Sequence, residues 1–251
     1  MAVESPAPFI ELNNVVLELP VRSKLIGQTD SSIGQVGGRF LLKGSRLRRI
    51  RILDDVSFLA TSGMSVGIIG LNGSGKSSLL RLIAGIYVPI VGSCIVNGAV
   101  TTLFSNQLGM NANATGAENV RLLSLLLGMD DQPVDELIEE VADFSELGDY
   151  MNLPIRTYSA GMRTRISFGV ATSGAPEILL VDEVFGTGDQ SFMDKARSRM
   201  RDLIDRSGVV VLASHSVELL KQYCTHLLWL DRGSVMGFGE TEEVLREYRA
   251  A

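Results

Sequence analysis

Residues 64–77 read MSVGIIGLNGSGKS, and two patterns meet in them. MSVGIIG is a short, unbroken apolar run that predicts a strand buried on both faces. Directly after it, Gly70 to Ser77 fit G-x-x-x-x-G-K-[ST], the loop that wraps phosphates. The next stretch, SSLLRLIAGIY, places apolar residues at helical spacing. Strand, glycine-rich loop and helix in this order open an α/β nucleotide fold. Each residue type answers one feature of a triphosphate. Gly70, Asn72, Gly73, Ser74, Gly75 and Ser78 let successive N–H groups curl around phosphate oxygens at a helix N-terminus; Lys76 neutralises charge, and Ser77 offers a hydroxyl to Mg²⁺. A glycine-rich turn can match this pattern by accident, but not with the right element on either side.

Downstream, ILLVDE (178–183) and VVVLASH (209–215) supply two further buried-strand runs. The helix-like SFMDKARSRMRDLIDRSG separates them, as a parallel sheet with crossover helices requires. Between about 115 and 172 helical spacing dominates, in ENVRLLSLLLG, PVDELIEEVADFSELG and AGMRTRISFGVAT, which predicts a helical subdomain. The tail HLLWLDRGSVMGFGETEEVL reads as a hairpin and a terminal helix. Upstream, residues 9–19 (FIELNNVVLEL) read as a first strand ended by Pro20. From about 21 to 50 comes an insertion, polar and glycine-rich at first and then basic in LLKGSRLRRIRIL, with strand pairing resuming at ILDDVSFLA.

The 251 residues, 45% hydrophobic and 21% charged, suffice for one large globular domain and exclude a disordered or disulfide-stapled chain. Cys94 and Cys224 stand far apart with no Cys/His cluster nearby, so neither zinc nor a disulfide framework is indicated. No apolar stretch is long enough to span a bilayer and the first residues lack a signal-peptide pattern, so the chain is expected to be neither integral nor secreted. The net charge of −6 argues against nucleic acid as a partner. Its distribution is uneven: Arg22 to Arg51 holds eight basic residues against Asp30 alone, +7, leaving −13 for the rest. Such a strip is either a solvated surface or a face for an anionic partner such as a membrane.

ILLVDE ends in two carboxylates, where the C-terminal edge of a parallel sheet would bring them beside the phosphate loop. Asp182 is the expected Mg²⁺ holder. Glu183 is then placed to orient or deprotonate the attacking water.

YSAGMRTR (158–165) lies just before a helix and about twenty residues upstream of these carboxylates, and it resembles the signature motif of ABC-type ATPases. The resemblance covers about residues 10–245, with phosphate loop, signature, carboxylates, GTGDQSF and LASHSVEL in family order. It implies an ABC nucleotide-binding domain with a RecA-like core, an antiparallel β subdomain and a helical subdomain, an ATP- and Mg²⁺-dependent ATPase working as a homodimer. In that arrangement Ser159 and the Gly161 N–H contact ATP held by the partner subunit, Asp189 lies at the dimer seam, and His215 contacts the γ-phosphate. Gln107, near VTTLF, is the nearby glutamine for the loop that senses the transmembrane partner. An aromatic stacking on adenine is also implied, and Phe9, Phe40 and Phe58 precede the loop. The signature departs from the commonest form, LSGGQ, at Tyr158, Ala160 and Met162.

Those departures, TGAENV, DEVFGTGDQSF and the basic insertion resemble exporters of O-antigen, capsule or teichoic acid. They imply a subunit at the cytoplasmic face of a bacterial inner membrane that powers export of a lipid-linked polysaccharide through a separate permease. Some relatives append a glycan-reading β-sandwich; none is expected here, because the sequence ends soon after GETEEVL. Two other readings compete: a non-transport ABC ATPase, for which coiled-coil insertions or a duplicated ATPase are missing, and a P-loop kinase or GTPase, for which no N-K-x-D motif is found.

Overall fold

The computed structural model describes residues 6–22, 39–41, 47–104, 109–129, 133–182 and 190–251, with backbone alone at 21–22, 39–41, 47–48, 104 and 190–191. Gln107, Glu183 and Asp189 lie outside the described residues, as does most of the basic insertion. The elements in chain order begin with β1 (Phe9–Arg22), β2 (Arg39–Leu41), β3 (Leu47–Thr61), β4 (Ser65–Ile69), α1 (Lys76–Ile83), β5 (Val91–Asn97) and β6 (Val100–Phe104). Next come α2 (Gly116–Leu126), α3 (Val134–Ser145), short 3-10 turns at Gly148–Asn152 and Ile155–Thr157, and α4 (Ala160–Ala171). The chain continues with β7 (Ile178–Asp182), α5 (Gln190–Arg206), β8 (Val209–Ala213), α6 (Val217–Tyr223), β9 (His226–Asp231), β10 (Ser234–Glu240) and α7 (Thr241–Ala250). They form two compact units, residues 1–100, 177–183 and 208–251 in the first and 101–176 and 184–207 in the second.

In the first unit, β4, β7 and β8 are the apolar runs expected from the sequence. They lie parallel in the order β4-β8-β7, with β9 parallel on the other side of β4 and β10 closing an antiparallel hairpin. Val66, Ile68, Leu179, Val211 and Leu228 are fully buried, as strands covered on both faces require. A second sheet is antiparallel, in the order β2-β3-β1-β5.

The second sheet corrects two expectations. β1 does not end at Pro20 but runs through it to Arg22, with Pro20 opposite Arg49. Pairing with β5 stops at Val16, so Pro20 has a strand on one side only and its missing N–H breaks no ladder. The basic stretch is likewise strand: β3 begins at Leu47, before ILDDVSFLA, and Arg39–Leu41 pair with it as β2. Period-two alternation through Arg49, Ile50, Arg51 and Ile52 suits a strand, here paired with β1 on one side and β2 on the other. The register sets Arg51 opposite Glu18, where its guanidinium donates to Glu18 at 3.2 Å and to Asp54 at 2.9 Å, while Arg49 approaches Glu18 at 3.9 Å. Part of the strip's charge is therefore balanced by acids from outside it.

The second unit holds α2–α5. Val120, Leu137, Val141, Ile155, Tyr158 and Ile166 form its core, at the helical spacing the sequence shows. α5, read from sequence as a crossover helix, packs with α3 and α4: Phe192 meets Phe144 edge-on at 5.4 Å, and Arg199 lies over the Phe144 ring at 4.7 Å while bonding Thr172 and Glu140.

Candidate phosphate and metal site

α1 starts at Lys76, and its N-cap, Gly75, has φ 111°, a left-handed conformation open to glycine at little cost. No side chain caps this helix, as none caps α3 or α7, whereas Thr115, Ser159 and Ser216 cap α2, α4 and α6. The first-turn N–H groups of α1 are thus left for an anion, with the partial positive charge of the helix end behind them. Gly70 serves by close approach: a Cβ there would lie 2.1 Å from the Leu230 carbonyl oxygen of β9. Behind the loop, Gly233 N–H donates to Ser74 O at 2.9 Å. Leu230 and Gly233 are supports that sequence reading missed; Gly233 in DRGS signalled only a turn.

Lys76 is 7% exposed and folds back onto its own loop, donating to Gly70 O at 2.8 Å and Leu71 O at 3.1 Å. Ser74 is 3% exposed, and its hydroxyl finds no hydrogen-bond partner among the described residues. A buried donor left unsatisfied costs about 1–3 kcal/mol, so such an atom inside a basic, glycine-lined loop fits a site built for an anionic ligand. Asn72 and Gly73 are exposed at the loop's crest, and Ser78 is half-buried in the first turn.

Asp182 ends β7 and is buried; it accepts a hydrogen bond from Ser77 Oγ at 3.1 Å across 105 residues of sequence. A hydroxyl and a carboxylate, both hard oxygen donors, suit Mg²⁺, which takes few protein ligands and keeps water and phosphate oxygens for the rest. Among the described residues no group of three or more His, Cys, Asp or Glu could hold a metal ion. His215 is exposed two residues beyond β8, the strand between β4 and β7, so the phosphate loop, Asp182 and His215 share the C-terminal edge of the parallel strands. Ser216 N–H donates to Ser214 Oγ at 3.0 Å, and Ser216 caps α6, fixing the turn that carries His215.

In the second unit, Ser159 is the N-cap of α4 and accepts from Met162 N–H at 3.2 Å; Gly161 lies in the first turn, where a Cβ would stand in ordinary contact with Ser159 Oγ at 3.8 Å. Of the aromatics before the loop, Phe58 is buried against Phe238 at 5.8 Å and offers no free face. Leu53, Ile52 and Leu230 are the strand residues around Gly75; Leu53 pairs with Leu17, and Phe9, eight residues earlier on β1, pairs with Thr61 at the far end of β3. Phe40 pairs with Ile50, three residues from Leu53, so its backbone is the nearest of the three in register.

The described residues contain no helix long and apolar enough to cross a membrane. The ABC transporter family profile matches residues 53–186, from β3 past the second carboxylate. The chain is 42% identical over 234 residues to the O-antigen export system ATP-binding protein RfbE of Yersinia enterocolitica, covering 92% of this chain and 97% of that one. It is 37% identical to the teichoic acids export ATP-binding protein TagH of Enterococcus faecalis and 38% identical to the O-antigen export system ATP-binding protein RfbB of Myxococcus xanthus, spanning about half of each (53% and 49%). Among solved structures, the ATP-binding subunit of an ABC transporter superposes with a TM-score of 0.71 at 20% identity, covering 96% of this chain and 93% of its own. A dimeric ATP-binding cassette in a post-hydrolysis state bound to ADP and Pi gives 0.68 at 19%, covering 92% and 98%, a likeness of fold. A phosphate loop built on this sheet edge, a family profile across more than half the chain and a relative matched nearly end to end lead to one conclusion: the chain belongs to the ABC transporter family, as an ATP-binding protein.

Proposed function

We propose that this chain hydrolyses ATP as a homodimer to power export of a lipid-linked polysaccharide, an O-antigen in the first instance, through a separate transmembrane permease. The observation that carries the cargo reading is the 42% identity to the O-antigen export protein, above the 37% to a teichoic acid exporter. Lys76 and the uncapped N–H groups of α1 hold the β- and γ-phosphates, and Ser77 and Asp182 hold Mg²⁺. When bound, Mg²⁺ supplies charge neutralisation at the phosphate oxygens. Glu183 orients or deprotonates the attacking water and His215 contacts the γ-phosphate, while Ser159 and Gly161 of the second copy complete the site. Asp189 lies at the seam between copies, and Gln107 reports the nucleotide to the permease. The protein sits peripherally at the cytoplasmic face of the inner membrane, held by the permease, with its basic insertion toward lipid or lipid pyrophosphate.

The test is genetic and chemical together. Deleting the gene from its source bacterium should leave lipid-linked polymer inside the cell and remove long chains from the surface; the parent gene should restore them and Lys76→Ala should not. Normal surface polysaccharide in the deletion strain refutes the cargo and leaves the ATPase standing.

A further inference from the structure

TGAENV (115–120) and the tyrosine that opens YSAGM are sequence features to which the nucleotide reading gives no task. In the second unit they meet. Residues 111–116 run antiparallel to 153–156: Ile155 N–H donates to Ala114 O at 2.9 Å, Arg156 N–H to Ala112 O at 2.9 Å and Gly116 N–H to Leu153 O at 3.2 Å. The Arg156 guanidinium adds a bond to Asn113 Oδ1 at 3.0 Å. Asn119, fully buried in α2, locks the same stretch: its Oδ1 accepts from Asn111 N–H at 2.7 Å, and its amide donates to the carbonyls of Asn111, Ala114 and Thr115. A buried amide satisfied on every side holds its surroundings in one arrangement.

Tyr158, 4% exposed, drives its ring into the helical core edge-on to Tyr150, with centroids 6.5 Å apart, and its hydroxyl donates to Tyr150 O. Burial raises its pKa above that of an ordinary phenol, against a smaller opposing pull from the Gly116 backbone. The hydroxyl lies against the first residue of α2: a Cβ on Gly116 would stand 2.5 Å from Tyr158 Oη, 3.1 Å from Met151 Cα and 3.2 Å from Met151 O. Ordinary contact begins at 3.4 Å. Any side chain at 116 must therefore displace the phenol or α2 by about 1 Å. The residue directly after Tyr158 is Ser159, the N-cap of α4.

We propose that Gly116 and Tyr158 are a matched pair that sets the position of Ser159, Tyr158 being a positioning residue through which the start of α2 controls the signature's contact with nucleotide on the partner subunit. This rests on the reading of Ser159 given above. A leucine, as in the commonest signature, has no hydroxyl to reach the Tyr150 carbonyl. In this chain the tyrosine anchors the signature and, with the Met151 backbone, creates the demand for glycine at 116.

The test compares Gly116→Ala, Tyr158→Phe and the double variant in the full chain, with Ser159→Arg as control. It reads kcat, the melting temperature, and the ATP Kd at protein concentrations too low for dimers. Misplacing a catalytic contact by about 1 Å costs up to about a hundredfold, so Gly116→Ala should lower kcat about ten- to a hundredfold with Kd unchanged. Tyr158→Phe removes the nearest colliding atom and leaves the Met151 backbone, which must give by a few tenths of an ångström, so the double variant should turn over at least about fivefold faster than Gly116→Ala, the non-additivity of residues in contact. A merely structural glycine would lower the melting temperature without rescue. A double variant as slow as Gly116→Ala, or Gly116→Ala turning over like the parent, overturns the pair. Tyr158→Phe adds no atom and covers the case in which Gly116→Ala does not fold: alone it should slow kcat severalfold at unchanged Kd, and parental turnover overturns the proposal. Full turnover by Ser159→Arg overturns the reading of Ser159 and the proposal together, whereas an inactive Ser159→Arg with no rescue overturns the pair alone.

Discussion

Replacing Lys76 by methionine keeps the length of an apolar stem and deletes one buried charge. That ammonium donates to Gly70 O at 2.8 Å and Leu71 O at 3.1 Å, among its contacts, and Lys76 is 7% exposed, so its interactions are set against the cost of keeping a charge out of water. Because these effects oppose one another, Lys76→Met should change the stability measured without ATP by about 1–2 kcal/mol, roughly 2–8 °C in Tm. ATP binding should respond differently. A hydrogen bond to a charged group contributes about 1.5–3 kcal/mol, which predicts a Kd raised about 10- to 150-fold. With ATP at 100 times the parent's Kd, the parent gains about 2.7 kcal/mol from binding, while a variant weakened a hundredfold gains about 0.4 kcal/mol. Titration calorimetry with MgATP, and thermal melts with and without it, read both quantities. A Kd within about twofold of the parent, with ATP still raising Tm in full, would refute the assignment of Lys76 to the phosphates.

Glu183→Gln should bind ATP and accumulate as a dimer without turnover, since the amide keeps the shape but loses the base; size-exclusion chromatography with ATP checks it, and a monomer with parental kcat speaks against it. Neutralising Arg46, Arg48, Arg49 and Arg51 together should reduce ATPase stimulation by anionic vesicles more than basal hydrolysis, at about 1 kcal/mol per residue at best and less for Arg51, which Glu18 and Asp54 already occupy; equal losses point to folding. Burial pushes the Cys224 thiol up to about 12 against an ordinary 9.0, so the unfolded chain loses this proton first and stability falls as pH rises from about 9 toward 12. Below pH 9 the thiol contributes no slope, and Cys224→Ala should flatten the alkaline part of the stability curve measured by urea titration. A parental slope in the variant would assign that fall to other groups.

By itself the sequence determined what is contiguous. GLNGSGKS carries its own turn chemistry, its flanking strand and helix are legible from apolar spacing, and ILLVDE and VVVLASH announce a buried parallel layer because such strands need no alternation. Ser159 at a helix start was readable for the same reason: capping involves neighbours three residues apart. Tertiary structure decided what depends on distant partners. Ser77 meets Asp182 across 105 residues, Gly233 supports Ser74, and Leu230 makes glycine obligatory at position 70. Pro20 reads as a strand end until the pairing shows that β5 stops short of it, and the basic strip reads as uncompensated until the register brings Glu18 opposite Arg51. Gly116 reads as an ordinary glycine until the Tyr158 hydroxyl is found against it. The physical reason is common to all of these: periodicity and turn chemistry act over one or two turns of chain, whereas burial, cross-strand pairing and close packing join residues tens to hundreds of positions apart, and no local pattern encodes which two will touch.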